Sequence, residues 1–261
     1  MTIQFDKYQG AGNDFVILDN RQGKYNGLTV VQIAFICDRH KGVGADGLIL
    51  INSDSTSDFQ MQYFNSDGNE STLCGNGGRC AVAFAHDMNV IENTAEFNAV
   101  DGLHTALYDS SMKVKLEMQD VTKFSKVGTA IVTDTGSPHY IQLVDEVQAL
   151  NIQKEGAAIR YSDAYLPEGI NVNFVEKEDP THYKIRTYER GVEGETLACG
   201  TGTVAAALAM HYLAESANAT KLHFKAVGGD LVVSFEVSNE GYHSIFLTGP
   251  AVFVFSGSID L

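Results

Sequence analysis

Residues 197–203 read LACGTGT, and residues 73–78 read LCGNGG. Each stretch sets one cysteine between an apolar lead and a glycine-rich turn. Each turn then runs into a segment that is apolar nearly all round, Gly78–Asp87 in one case and Thr203–Glu215 in the other. Aligning Cys74 on Cys199 also pairs Tyr63 with Tyr188, Glu70 with Glu195, Gly75 with Gly200, Gly77 with Gly202 and Ala81 with Ala206. Further out, FNAVDG at 97–102 resembles FKAVGG at 224–229, and the Gly12-Asn13 turn before FVILD echoes Gly136-Ser137 before HYIQLV. The repeat is about half the chain, so this is a two-fold duplication and not a solenoid. A helix that is apolar on most sides must be buried on most sides. The expected fold is therefore α/β (α+β): two pseudo-symmetric lobes, each a curved, mostly antiparallel sheet or barrel around a buried central helix. The expected lobes are residues 1–118 with 250–261, and residues 119–249, the last strand returning to the first lobe.

Period-two alternation and short apolar runs predict strands at 15–19, 48–52, 59–65, 113–118, 140–144, 171–175, 184–188, 231–237 and 252–255. Helical spacing predicts helices at 29–38, 78–87 and 203–215. The sequence GVGADG at 42–47 satisfies a G-x-G-x-x-G pattern, but it follows a helix and opens a strand. A dinucleotide site needs the reverse order.

The formal net charge is −15, which argues against nucleic acid as a partner, because phosphate contacts need clustered Lys and Arg. No apolar run approaches the ~18 residues that cross a bilayer, and MTIQFDKYQG carries no basic or apolar leader segment. No membrane partner and a cytoplasmic location are expected. Four cysteines in 261 residues are no disulfide framework, and no C-x-x-C pair suggests a metal, so none is expected. Cys37 and Cys80 lie on apolar helical faces and read as core residues.

Cys74 and Cys199 read differently. A helix start offers unladdered N–H groups and partial positive charge, which bind carboxylates and favour thiolate over thiol. One such cysteine could be a nucleophile. Two, one from each half of a duplicated fold, suit inversion of a carbon between them: a thiolate removes a proton from one face and a thiol returns one to the other. For an amino acid the carbanion spreads into the neighbouring carboxylate, which the helix ends stabilise. No pyridoxal cofactor is then required, and no cofactor is expected.

The stretches GAGNDFVILD (10–19), FNSDGNESTLCGNGGRC (64–80), GSPH (136–139), GINVNF (169–174), TYERGVEGETLACGTGT (187–203) and TGPA (248–251) resemble diaminopimelate epimerase. The resemblance implies cofactor-independent interconversion of LL- and meso-diaminopimelate, for lysine and peptidoglycan synthesis, by two lobes that close over the substrate. It implies Cys74 and Cys199 as the catalytic pair, Cys74 protonating and Cys199 abstracting in one direction, with roles exchanged in reverse. His139 and Glu189 match residues that tune the cysteines. Gly75-Asn76 and Gly200-Thr201 match the groups holding the reacting carboxylate. Asn13, Asn65, Ser137, Asn171, Glu189 and Arg190 match substrate contacts, with Arg190 suited to bidentate capture of the distal carboxylate. The resemblance also implies a homodimer, with Phe255 standing near the interface where a tyrosine can sit. Ser137 replaces a common asparagine, Gly47 replaces a frequent glutamine, and YERGVEGET is one residue longer than a shorter form of the loop. Three other readings compete. A proline or hydroxyproline racemase shares the chemistry but not the GAGNDF and YERG stretches. A non-catalytic amino-acid-binding module and a phenazine-pathway type of isomerase would not keep both cysteines.

Overall fold

The computed structural model describes residues 1–71, 74–109, 111 and 113–261. The chain divides into two compact units, Met1–Leu116 with Gly249–Leu261, and Glu117–Thr248. The first contains β1 (Thr2–Gly10), β2 (Asn13–Asp19), α1 (Val30–Cys37), β3 (Gly47–Asn52), β4 (Phe59–Asn65), β5 (Glu70–Ser71), α2 (Gly75–Asp87), β6 (Thr94–Ala99), β7 (Gly102–Asp109) and β8 (Lys113–Met118). The second contains β9 (Phe124–Val127), β10 (Ala130–Asp134), β11 (Pro138–Val144), α3 (Ile152–Arg160), β12 (Asn171–Lys177), β13 (His182–Glu189), β14 (Gly194–Thr196), α4 (Gly200–Tyr212), β15 (Lys221–Ala226), β16 (Gly229–Ser238) and β17 (Gly241–Pro250). The final strand, β18 (Val252–Asp260), pairs antiparallel with β1, Thr2 opposite Asp260 and Gln9 opposite Val252.

The duplication is exact in topology. Along the first unit the strands run β18, β1, β2, β3, β4, β6, β7, β8. Along the second they run β9, β10, β11, β12, β13, β15, β16, β17. In both, only the third and fifth pairings are parallel; the others are antiparallel. The short β5 on β4 matches β14 on β13.

Each sheet is covered on two faces, which explains the unbroken apolar run of β2. Val16 and Leu18 join Ile33, Ile36 and Leu48 in the core under α1. Phe15, by contrast, lies beneath the first turn of α2, together with Ile49. A strand buried on both faces has no polar side to alternate with. Helix α1 starts at a capping box, Thr29 accepting from Gln32 N while the Gln32 side chain accepts from Thr29 N. Helix α2 touches β1, β2, β3, β4, β7 and β18, so that sheet curls around it; α4 touches β10, β11, β12 and β16. Among the described residues no helix is long and apolar enough to cross a membrane.

The helices predicted from Gly78 and Thr203 begin three residues earlier, at Gly75 and Gly200, and α4 stops at Tyr212 and not Glu215. Glycine in a first helical turn is read as turn from sequence alone. Burial of the segment outweighs the ~1 kcal/mol that each helical glycine loses against alanine. The shift places each cysteine at the N-cap of its helix.

Candidate active site

Both cysteine turns fold alike. Cys74 caps α2 and Cys199 caps α4 in extended backbone (φ −86°, ψ 119° and φ −107°, ψ 114°), and neither side chain bonds its helix as a cap. The first ladder bonds run from Gly78 N to Cys74 O at 2.7 Å and from Thr203 N to Cys199 O at 2.9 Å. The amides of residues 75–77 and 200–202 therefore precede the ladder and carry the positive end of the helix dipole. Cys74 is half-buried and Cys199 buried. Thr72 and Leu73, which lead into the first turn, lie outside the described residues. The other two cysteines are core: Cys37 packs under α1, Cys80 is fully buried, and burial pushes each thiol up to about 12.

In the first unit a directed polar chain supports the turn. Arg79 Nη2 donates to Asn76 Oδ1 at 2.7 Å, which fixes the Asn76 amide. Asn76 Nδ2 then donates to Asn13 Oδ1 at 2.5 Å, and Asn13 Nδ2 donates to Asp46 at 2.9 Å. Arg39 bridges Asp46 and Asp14, and Lys7 pairs with Asp14 from the other side. Burial opposes the Asp14 charge, yet Arg39 and Lys7 outweigh it and hold that carboxyl below its ordinary range. Asn13 and Asn76 are thus brought together. Asn65 stands apart at the exposed end of β4, where its carbonyl accepts from Gly68 N.

In the second unit hydrogen bonds link Arg190 N, Asn171, Ser137, His139 and Thr201 in a chain that ends at Cys199. Asn171 Nδ2 donates to Ser137 Oγ and to Pro138 O, both at 3.1 Å, while its Oδ1 accepts from Arg190 N at 2.9 Å. Glu189 accepts from Thr196 Oγ1 at 2.5 Å, on the strand that leads into the cysteine turn. Thr135 Oγ1 pins that turn by donating to Thr201 O at 2.9 Å. His139 is fully buried. Asn173 Nδ2 faces both Tyr140 O, which can only accept, and His139 Nδ1 at 3.0 Å. The hydrogen-bond pattern therefore makes Nδ1 the acceptor and puts the ring proton on Nε2. Nε2 lies 3.0 Å from Thr201 Oγ1, which in turn lies 3.6 Å from Cys199 Sγ.

Burial, with a smaller push from Arg190, lowers His139 to about 3. It is neutral in the folded protein above that pH, whereas the unfolded chain takes up its proton near the ordinary 6.5. Below 6.5 the unfolded state binds the extra proton, so stability falls as pH falls toward 3. Burial also lowers His211 and His223, which add to the same slope. Comparing denaturant melts of wild type and His139→Gln between about pH 6 and 4.5 isolates this group. The variant's slope should be shallower by about 1.4 kcal/mol per pH unit; equal slopes would mean that His139 charges in place.

The diaminopimelate epimerase family profile matches residues 5–124 and 131–254. A diaminopimelate epimerase from Flavobacterium psychrophilum is 47% identical over 253 residues, covering 97% of this chain and 98% of its own. One from Chlorobaculum tepidum is 44% identical over 260 residues, covering 97% and 99%.

This chain belongs to the diaminopimelate epimerase family.

Among solved structures, a phenazine biosynthesis protein of the PhzF family from Bacillus anthracis has a TM-score of 0.75 at 17% identity, with all of both chains covered. A probable proline racemase from Agrobacterium radiobacter has a TM-score of 0.68 at 14% identity, covering 99% of this chain and 93% of its own. At such identities these likenesses establish the shared two-lobed fold and nothing about substrate.

Within the diaminopimelate epimerase pattern, this chain's departures have local accounts. A Cβ at Gly47 would lie 2.5 Å from both the Tyr63 ring and Phe64 O, so the space a longer side chain needs is filled. Ser137 keeps a polar contact through Asn171, and Phe255 packs edge-on to Phe5 at 5.8 Å between ring centroids. Sequence reading missed Arg79, Asp46, Asn173 and Thr196. Arg79 had a signal: CGNGGRC carries a cation where the duplicate, CGTGTVA, carries Val204. Asn173 had one too, as the inward position of the alternating NVNF run. Asp46 and Thr196 had none, being ordinary polar residues near turns.

Proposed function

We propose that this chain interconverts LL- and meso-diaminopimelate without a cofactor, by proton transfer between a cysteine thiolate and a cysteine thiol. The observation that carries this reading is the pair of cysteine N-caps at duplicated helix starts, in a chain matching the family along nearly its whole length.

One sulfur takes the α-proton as its thiolate, and the other, as its thiol, delivers a proton to the opposite face. The amides at 75–77 and 200–202 hold the α-carboxylate and stabilise charge that builds there. Arg190 takes the distal carboxylate, and Asn13, Asn65, Asn76, Ser137, Asn171, Glu189 and Thr201 position the remainder. A neutral His139 with a pKa near 3 cannot hold the thiol's proton at neutral pH, so it tunes Cys199 as a dipole, through the Thr201 hydroxyl. Glu189, held by Thr196, shapes the charge around the same turn. The product serves lysine and peptidoglycan precursor synthesis in the cytoplasm. The chain works as a homodimer, in keeping with the exposed apolar side chains of Phe253, Val254 and Phe255 on β18.

Incubation with LL-diaminopimelate in deuterated water, with no pyridoxal phosphate added, tests the reading. The meso product should carry deuterium at the inverted carbon while unreacted substrate stays protiated, as two separate bases require. Turnover of proline or hydroxyproline in place of diaminopimelate would reassign the substrate. Label washing equally into substrate and product would point to a single base.

A further inference from the structure

The duplicated hairpin turns that follow β4 and β13 share a left-handed backbone slot and fill it differently. With Tyr63 aligned on Tyr188, Gly68 falls on Glu193. Gly68 has φ 88° and Glu193 φ 57°. Glycine adopts this region freely, whereas a residue with a Cβ is disfavoured there and persists only where its surroundings hold it. Apolar packing at the tip of the turn does not hold Glu193, since Gly191 is exposed and Val192 is 61% exposed. The Glu193 carboxylate does. Its Oε1 accepts from Gly191 N at 3.1 Å and from Arg160 Nε at 3.3 Å and Nη2 at 3.1 Å. Its Oε2 accepts from Tyr161 Oη at 2.8 Å and Tyr188 Oη at 3.1 Å. Burial opposes the charge, yet Gly191 N, the two phenols and Arg160 outweigh it and hold the carboxyl below its ordinary range.

Arg190 stands inside this turn, between Glu189 and Gly194, which pair across the end of β13 and the start of β14. Its own N–H donates to Asn171 Oδ1 at 2.9 Å, and the next N–H, that of Gly191, is the one Glu193 accepts. The peptide groups on both sides of the Arg190 Cα are therefore fixed. Arg160 ties the same anchor to the segment that carries Asn171. A Cβ on Gly169 would meet Arg160 Nη1 at 1.9 Å, so the guanidinium lies against the backbone just before β12. The Arg190 side chain is held less firmly: Nη1 reaches Glu168 O at 3.5 Å, the long limit of a hydrogen bond. A fixed root with a loosely held fork suits an arginine that must meet an incoming carboxylate on two sides.

We propose that Glu193, anchored on Arg160, Tyr161 and Tyr188, is a positioning residue that holds the turn so that Arg190 is presented to the distal carboxylate of the substrate. This rests on the reading of Arg190 as the partner of that carboxylate. Glu193 acts through the backbone of Arg190 and touches no substrate itself. The first unit, with glycine in the same slot, has no side chain there to play this part.

Two measurements on the same variants test the assignment. Glu193→Gly suits the left-handed backbone and removes the carboxylate; Glu193→Gln keeps the length and one acceptor oxygen but not the charge. KM for LL-diaminopimelate should rise about tenfold in the glycine variant, and less in the glutamine variant, with kcat changed less than KM. A merely structural role would lower the folded fraction, and with it the apparent kcat, and leave KM where it was. KM therefore still reads the turn if an unpaired Arg160 destabilises the glycine variant. In an Arg190→Lys background, Glu193→Gly should raise KM by a smaller factor, because the residue it serves is already altered. Without substrate, hydrogen exchange followed by mass spectrometry should show the peptide spanning 187–194 labelling at least about threefold faster in Glu193→Gly, with α4 unchanged. Faster exchange in a chain that does not epimerise diaminopimelate would leave the anchoring of Arg190 standing and reassign only the carboxylate it meets. An unchanged KM in the glycine variant, equal exchange in that peptide, or the same rise in KM with arginine and with lysine at 190 would overturn the assignment.

Discussion

Alanine at either Cys74 or Cys199 should lower epimerisation of LL-diaminopimelate by at least about a thousandfold. A positioned acid or base is worth about 10²–10⁴, and inversion by two bases needs both groups in every turnover. The loss should be chemical and not structural. Neither sulfur caps its helix, so removing it takes away no helix hydrogen bond. Cys74 is only half-buried, and deleting one sulfur from Cys199 leaves a small void. Unfolding midpoints of both variants should therefore stay close to wild type while activity collapses. Serine would not rescue either site, because a hydroxyl holds its proton far more tightly than a thiol near 8.5. Formation of the meso isomer, measured alongside thermal melts, checks the prediction. Either alanine variant epimerising within about tenfold of wild type would leave the pair without its assigned role.

The duplication was legible because its marker is local. A cysteine followed by glycines at the mouth of a buried helix is a constraint on consecutive residues, and consecutive residues are what a sequence shows directly. The helix starts were misplaced by three residues for the same reason, since glycine's local preference for turns hides a helix that burial enforces. Strand β1, with Ile3 and Phe5 inward but Lys7 also buried against Asp14, breaks its own alternation through an ion pair that sequence cannot announce. Strand β7 exposes Leu103 and Leu107, so it has no clean apolar face to read. At the candidate site, residues in or beside the two turns could be named from the sequence, because their type and spacing are local. Arg79 and Asn173 were not, because a fully buried arginine or asparagine is defined by partners on other elements: Pro250 and Asn76 for one, His139 and Thr187 for the other.

The duplicated glycines at 77 and 202 should respond in opposite ways to alanine, and the difference measures how far the two turns have diverged. A Cβ on Gly77 would find Ile49 Cδ1 and Phe15 Cε1 at 3.4 Å and Cys74 Cβ at 3.5 Å, which is ordinary contact. Gly77→Ala should therefore be neutral or stabilise by up to about 1 kcal/mol, through helix propensity. A Cβ on Gly202 would lie 2.3 Å from Asn173 Oδ1. Asn173 cannot swing aside cheaply: it is fully buried, and its amide is held by His139 Nδ1, Tyr140 O and Thr187 Oγ1. Overpacking of about 1–3 kcal/mol, joined by hydrogen bonds strained or lost around Asn173, outweighs any gain in propensity. Gly202→Ala should lose about 2–4 kcal/mol in urea melts. Shortening the obstructing side chain supplies the control. If the clash with Asn173 is the cause, Gly202→Ala combined with Asn173→Ser should be less destabilised than the sum of the two single variants, because the pair is in contact and not independent. Strict additivity would place the cause elsewhere, and matching melts for Gly77→Ala and Gly202→Ala would mean that the buried asparagine yields.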